Sequence, residues 1–215
     1  MKRVGKLFSI AMISIVMLAC FFFASVVMAT AEVPESFKAS NGARILVGAD
    51  VDQTGIRFDA EISESDYVAL KSTSPTIEFG FALGSEKMGE LNETNHFSSN
   101  GLVAVRTVNI ADSSTDLRKS GDKRVMSWGI TYNESNAGSL GGMTQVQKDK
   151  VYMSGLAARP YYKINGVYTF GVQSPARSMT QVIVAEMHSN PNLDESVVSR
   201  YIKDEIVDGG EITFQ

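Results

Sequence analysis

The 215-residue sequence contains one cysteine, one tryptophan, two histidines and five prolines. A single cysteine excludes an internal disulfide framework and a Cys-based zinc site. Cations are in the minority, 20 Lys+Arg against 24 Asp+Glu for a net charge of −4, which argues against a generic nucleic-acid binder. There is one long apolar run, and it lies at the N-terminus. What is present is enough to fold: 44% hydrophobic and 20% charged residues can bury a core, and the length suits one domain.

The N-terminal run has the layout of an export signal. Lys2, Arg3 and Lys6 precede an uncharged stretch from Leu7 to Ala31, and Glu32-Val33-Pro34-Glu35 opens a polar region. Ala29-Thr30-Ala31 and Val27-Met28-Ala29 are both small-residue cleavage sites. The run is also long enough to span a bilayer as an uncleaved anchor, and either reading exports the remainder. Met17-Leu18-Ala19-Cys20 has the form of a lipidation site, but the apolar Phe21-Phe22-Phe23 that follows is unlike the polar tether of a lipidated terminus. Residues 1–31 are therefore read as signal peptide or anchor, and 32–215 as one β-rich extracellular domain. Loss of Lys2, Arg3 and Lys6 leaves 17 cations against 24 acids, a net of −7, and no cysteine.

Strands dominate the exported part. Between Gly55 and Ile62, residues Ile56, Phe58, Ala60 and Ile62 alternate with Arg57, Asp59 and Glu61, the pattern of a half-buried strand. Ser63-Glu64-Ser65-Asp66 then caps one or two helical turns. Further strands are expected over Thr76 to Leu83, Leu102 to Ile110, Arg124 to Tyr132 and Val151 to Ala158. Gly84 to Asn100 and Asn133 to Lys148 read as irregular. Asn165-Gly166 predicts a type I′ hairpin pairing Ile164 with Val167 and Tyr161 with Phe170, so that Tyr161, Lys163, Tyr168 and Phe170 share one side. Ser174-Pro175 predicts a helix to about His188 with Met179, Val182, Ile183 and Met187 as its apolar stripe. Asp194 to Val207 repeats the helical pattern, placing a helical segment over 175–207. The expected fold is mainly β, an antiparallel sandwich of immunoglobulin-like or jelly-roll-like type with one or two C-terminal helices.

Several short motifs carry a resemblance: Asn41-Gly42-Ala43-Arg44-Ile45, Thr54-Gly55-Ile56-Arg57-Phe58, Phe79-Gly80, Ala158-Arg159-Pro160-Tyr161-Tyr162 with its hairpin, and Ala176-Arg177-Ser178. From Phe37 to Ser189 the chain resembles a β-rich extracellular module of secreted and surface proteins of Gram-positive bacteria. The resemblance implies a non-catalytic domain and transfers no catalytic residue.

Catalytic constellations are thin. A Ser-His-Asp triad would have to use His96 or His188, and neither Gly-x-Ser-x-Gly nor His-Glu-x-x-His occurs. Ser120-Gly121-Asp122-Lys123 spells Ser-x-x-Lys without its companion motifs. A carboxylate pair acting on a glycan is the least excluded chemistry, although no two acids stand out. Asp50, Asp52, Gly55 and Glu61 match an EF-hand calcium loop at positions 1, 3, 6 and 12, which makes Asp50, Asp52 and Glu61 the candidate ligands and calcium the candidate ion. The Ile56-to-Ile62 alternation opposes this, because it demands a strand where an EF-hand starts its second helix.

Binding is the function the composition favours. Trp128, Tyr161 and Tyr168 are the candidate ligand residues, since aromatic rings cover the apolar face of a sugar while acids and amides take its hydroxyls. The expected role is adhesion to carbohydrate or cell-envelope material at the cell surface. The alternative is a structural or protein-interaction domain, for which the same aromatics would serve. Nucleic acid is not an expected partner, and the membrane is contacted only through an uncleaved N-terminus.

Overall fold

A computed structural model describes residues 33–47, 53–97, 102–132, 140, 142–190 and 193–202. The expected signal segment, Cys20, Asp50 and Asp52 lie outside the described residues. In chain order the elements are β1 (Lys38–Ala39), β2 (Arg44–Leu46), β3 (Gly55–Ser63), α1 (Glu64–Lys71), β4 (Thr76–Ser85), β5 (Val103–Asn109), β6 (Arg118–Ser120), β7 (Lys123–Thr131), α2 (Gln145–Met153), β8 (Leu156–Ile164), β9 (Val167–Phe170), α3 (Met179–Ser189) and α4 (Glu195–Tyr201). The strands form two antiparallel sheets. One is ordered β1-β3-β7-β6 with β2 also on β3, and the other β5-β4-β8-β9.

The alternation in β3 becomes a buried row: Ile56, Phe58, Ala60 and Ile62 are each at most 1% exposed. Ile77, Phe79, Phe81 and Leu83 of β4 supply the matching row, and both rows belong to one hydrophobic cluster. Aromatic edges knit it together, with Phe37 centred 5.5 Å from Tyr162 and 6.3 Å from Phe79, and Tyr67 6.0 Å from Phe79. Met179, Val182 and Ile183 of α3 join the same cluster. On one margin Phe37 and Ala39 exchange backbone hydrogen bonds with Val172, just beyond β9.

Two expectations change. Val151 to Ala158 is not one strand: α2 occupies its start and β8 begins at Leu156. Thr144 and Gln147 form a reciprocal capping box there, so a helix interrupts the segment expected to be irregular. The helix expected from Ser174-Pro175 starts four residues later, after Ser178, which makes its own capping box with Gln181. Ser174 is instead buried, its Oγ accepting the Ala158 N–H at 3.0 Å. Leu156 and Arg177 exchange two backbone hydrogen bonds, holding the chain extended against β8 where a helix would have to begin. Met187 of the expected stripe is 41% exposed. The second helix runs from its Asp194 cap to Tyr201, and the remainder of the expected span, residues 203–207, lies outside the described residues.

A polar network fastens α1 to the approach to β6. Ser63 caps the helix, and its Oγ accepts the Asp66 N–H at 3.1 Å. Tyr67 donates to Asp116 Oδ1 at 3.0 Å, Lys71 donates to the same oxygen at 2.6 Å, and the Leu117 N–H reaches the Tyr67 hydroxyl at 3.3 Å. Arg124 binds Glu64 bidentately at 2.6 and 2.9 Å and the Leu117 carbonyl at 2.9 Å. Burial pushes the Tyr67 phenol up to about 12. For Asp116 burial acts upward too, but the hydrogen bonds from Lys71 and Tyr67 overcome it and hold the carboxyl below its ordinary value.

A carboxylate depressed in the folded state contributes stability that is present above its unfolded pKa, about 3.9, and is lost as pH falls through the lower folded value. Asp116→Asn should therefore cost about 1–2 kcal/mol at pH 7 in urea unfolding. The gap between wild type and variant should narrow as the pH is taken below about 4. A gap that stays constant across that window would remove Asp116 from this role.

Candidate functional site

The outward face of the four-stranded sheet carries the most organised cluster of aromatic and charged side chains. In β4, Phe79 and Phe81 point into the core, which turns Glu78, Gly80 and Ala82 the other way. The register sets Gly80 opposite Tyr161, Glu78 opposite Lys163 and Ala82 opposite Arg159. The Asn165-Gly166 turn, with φ of 52° and 85°, then pairs Tyr161 with Phe170 and Lys163 with Tyr168, as the dipeptide predicts.

Glycine at 80 makes the arrangement possible. A Cβ there would stand 2.6 Å from the Cζ and Oη atoms of Tyr161 and 2.0 Å from the Val103 carbonyl oxygen. Over the space left free, the Tyr161 ring lies flat enough to be only 1% exposed, and its hydroxyl donates to Glu78 Oε1 at 3.1 Å. Burial, reinforced by the Glu78 charge, raises the Tyr161 phenol far above its ordinary value. Tyr161 is thus a fixed neutral base for the rings above it. Tyr168 meets it edge-on, centroids 5.1 Å apart at 74°, and Phe170 lies 6.0 Å from it. Tyr168 and Phe170 are nearly parallel, 24° and 6.2 Å apart, and both are half-buried.

Cations flank this pair. Lys163 Nζ lies 4.7 Å from the centre of the Tyr168 ring, and the Arg159 guanidinium 5.4 Å from that of Phe170. Arg159 is anchored by Glu90 at 2.8 Å and by the carbonyls of Leu91 and Gly171 at 2.9 and 2.8 Å. Beyond Arg159 the loop after β4 folds over the sheet, with Leu91 fully buried against Gly84 and Ala82. The arrangement offers ring surface, one cation and one carboxylate within the same few residues.

The candidate ligand residues do not converge. Tyr161 is buried beneath its neighbours and offers no ring face to a ligand, a correction forced by the close approach to Gly80. Tyr168 stands at the surface of the cluster. Trp128 is 37% exposed but sits on β7 of the other sheet, opposite Phe58. Of the candidate calcium ligands, Glu61 lies within β3 and carries Lys123 at 2.9 Å and Lys38 at 3.9 Å, so its charge is already matched by cations. Asp50 and Asp52 lie outside the described residues. Among the described residues no three His, Cys, Asp or Glu side chains are grouped to hold a metal. Ser120 and Lys123 face each other across the β6–β7 turn, but a hydrogen bond to Glu61 raises the Lys123 pKa and keeps it protonated. Glu78, Gly80 and Arg159 are cluster members that side-chain chemistry alone did not select. A glycine between two phenylalanines in a strand was the available signal, because it marks a close approach.

No described helix is long and apolar enough to cross a membrane. Compared with family models, curated proteins and solved structures, the chain matches none.

Gly80→Ala should cost about 3 kcal/mol in urea unfolding, since the ring and the Val103 carbonyl must both move. Gly166→Ala meets nothing within 4 Å and should cost only about 1 kcal/mol, from its φ of 85°. Equal costs at the two sites would show that Tyr161 is not seated on Gly80.

Proposed function

We propose that the protein is an exported, non-catalytic module that binds carbohydrate or cell-envelope material through the Tyr168–Phe170 face. The observation that carries this reading is the pair of half-buried, near-parallel rings held on a buried Tyr161, with Lys163 and Glu78 beside them. Rings of this kind cover the CH face of a pyranose, and the ammonium and carboxylate can take its hydroxyls. Preorganisation adds to the case, because an aromatic clamped from beneath loses little freedom when a ligand arrives. In this reading the two sheets are the layers of an antiparallel sandwich, a view supported by the single core into which both send their apolar rows. Export is supported by the basic, apolar and Ala-x-Ala pattern of residues 1–31.

A second reading, protein assembly, draws on α2, where Val146 is 65% and Met153 55% exposed seven residues apart on one side of the helix.

Titration with soluble neutral polysaccharides separates the two. Tyr168→Ala should weaken glycan binding about tenfold while leaving the unfolding midpoint close to wild type, and Tyr168→Phe should retain most of the affinity. Concentration-dependent self-association without any glycan response would favour assembly, and glycan binding indifferent to Tyr168→Ala would remove this face as the site.

A further inference from the structure

Between β5 and the β6–β7 hairpin lies an open cavity of about 330 Å³. It is lined by Val105 and Val125, by the nearly buried Leu117 and Met126, and by two arginines, Arg106 and Arg118. One acid, Asp116, reaches the same cavity, but its carboxylate is already occupied by Lys71 at 2.6 Å and Tyr67 at 3.0 Å and lies 3.7 Å from Arg124. Asp112 is held below its ordinary value by hydrogen bonds from Ser114 and by the Arg106 charge, so Arg106 is partly compensated and Arg118 is not. Arg106 donates through Nε to the Thr115 carbonyl at 2.9 Å and through a terminal nitrogen to the Ser114 carbonyl. Those acceptors are uncharged, so they fix the guanidinium in place without cancelling its charge. Arg118 is exposed, and among the described residues no acid pairs with it.

We infer that this groove is a binding site for an anionic sugar unit bearing a carboxylate or a phosphate. The inference rests on the glycan-binding reading but not on the aromatic face. An arginine fork matches either anion bidentately, and the half-buried Val105 and Val125 offer apolar surface to the ring. The cavity lies at the small end of ligand pockets, roughly 300 Å³ upward, a size suited to one or two sugar units. An added peptide strand is disfavoured by the geometry. Where such a strand would pair with β5, the Asn109 N–H is taken by Thr115 Oγ1 at 2.7 Å and the Arg106 side chain lies over the Ser113–Thr115 turn. The site runs against the overall charge of −4, which makes two arginines on one cavity a local feature rather than a general one.

The test is calorimetric titration of the protein with polygalacturonate, inorganic polyphosphate and neutral dextran at low and moderate salt. A polyanion should bind and weaken with salt. Arg118→Gln and Arg106→Gln should each reduce that affinity about tenfold. Lys38→Gln, which removes one charge from a residue 51% exposed on β1, should leave it unchanged. Arg118 is exposed, so its variant should unfold like wild type and report on binding alone. Preference for polygalacturonate identifies the anion as carboxylate, and preference for polyphosphate identifies it as phosphate. Absence of polyanion binding overturns the inference, as does equal weakening by Lys38→Gln and Arg118→Gln. Loss of polyanion binding in Tyr168→Ala alone would overturn it by moving the ligand to the aromatic face. The dextran arm reports separately on that face, so failure of one site does not mask the other.

Discussion

The seating of Tyr161 on Gly80 is the contact on which the outward face of the four-stranded sheet depends. The absence of a single Cβ lets a large ring lie against the backbone of β4, and the ring then supports Tyr168 and Phe170 from below. Without that seat the rings on β9, an edge strand of its sheet, would lose the ring beneath them. The Glu78 hydrogen bond fixes the phenol end, and the Asn165-Gly166 turn fixes which residues face each other. Rigidity at the surface is thus obtained from close packing one layer beneath it.

The same economy runs through the rest of the molecule. With one cysteine in the whole chain, the sheets are joined by apolar side chains and a few polar ties. Phe37, Phe79, Tyr67 and Tyr162 make a continuous aromatic contact that ties the four-stranded sheet to α1 and to the residue before β1. Tyr67 also serves the polar network, its ring under Arg124 at 5.0 Å and its hydroxyl on Asp116. Asp116 is engaged inside that network and does not pair with Arg118 of the neighbouring groove. One internal ion pair therefore bears on both the stability of α1 and the charge of a candidate site.

Local pattern carried much of this into the sequence. The alternation from Ile56 to Ile62 predicts its strand and the Asn165-Gly166 dipeptide predicts its hairpin register, because each is decided by neighbours a few residues away. The failures come from distant partners. Ser174-Pro175 has the form of a helix start, yet Ala158 and Leu156 claim that segment through backbone bonds that no local pattern reveals. Thr144 and Gln147 form a local cap whose pattern is present in the sequence but is obscured by the glycine-rich stretch before it. For the site, the hairpin identified which residues share a face, but not that Tyr161 is buried on that face. That distinction depends on Gly80, 81 positions away.

The glycan-contacting surface we propose is the β8–β9 face. Amide chemical-shift mapping during titration with a soluble polysaccharide tests it directly. Perturbed signals are expected to cluster on Lys163, Val167 to Phe170 and Glu78. Perturbation confined to the strand that carries Trp128, or none at saturating glycan, would contradict it.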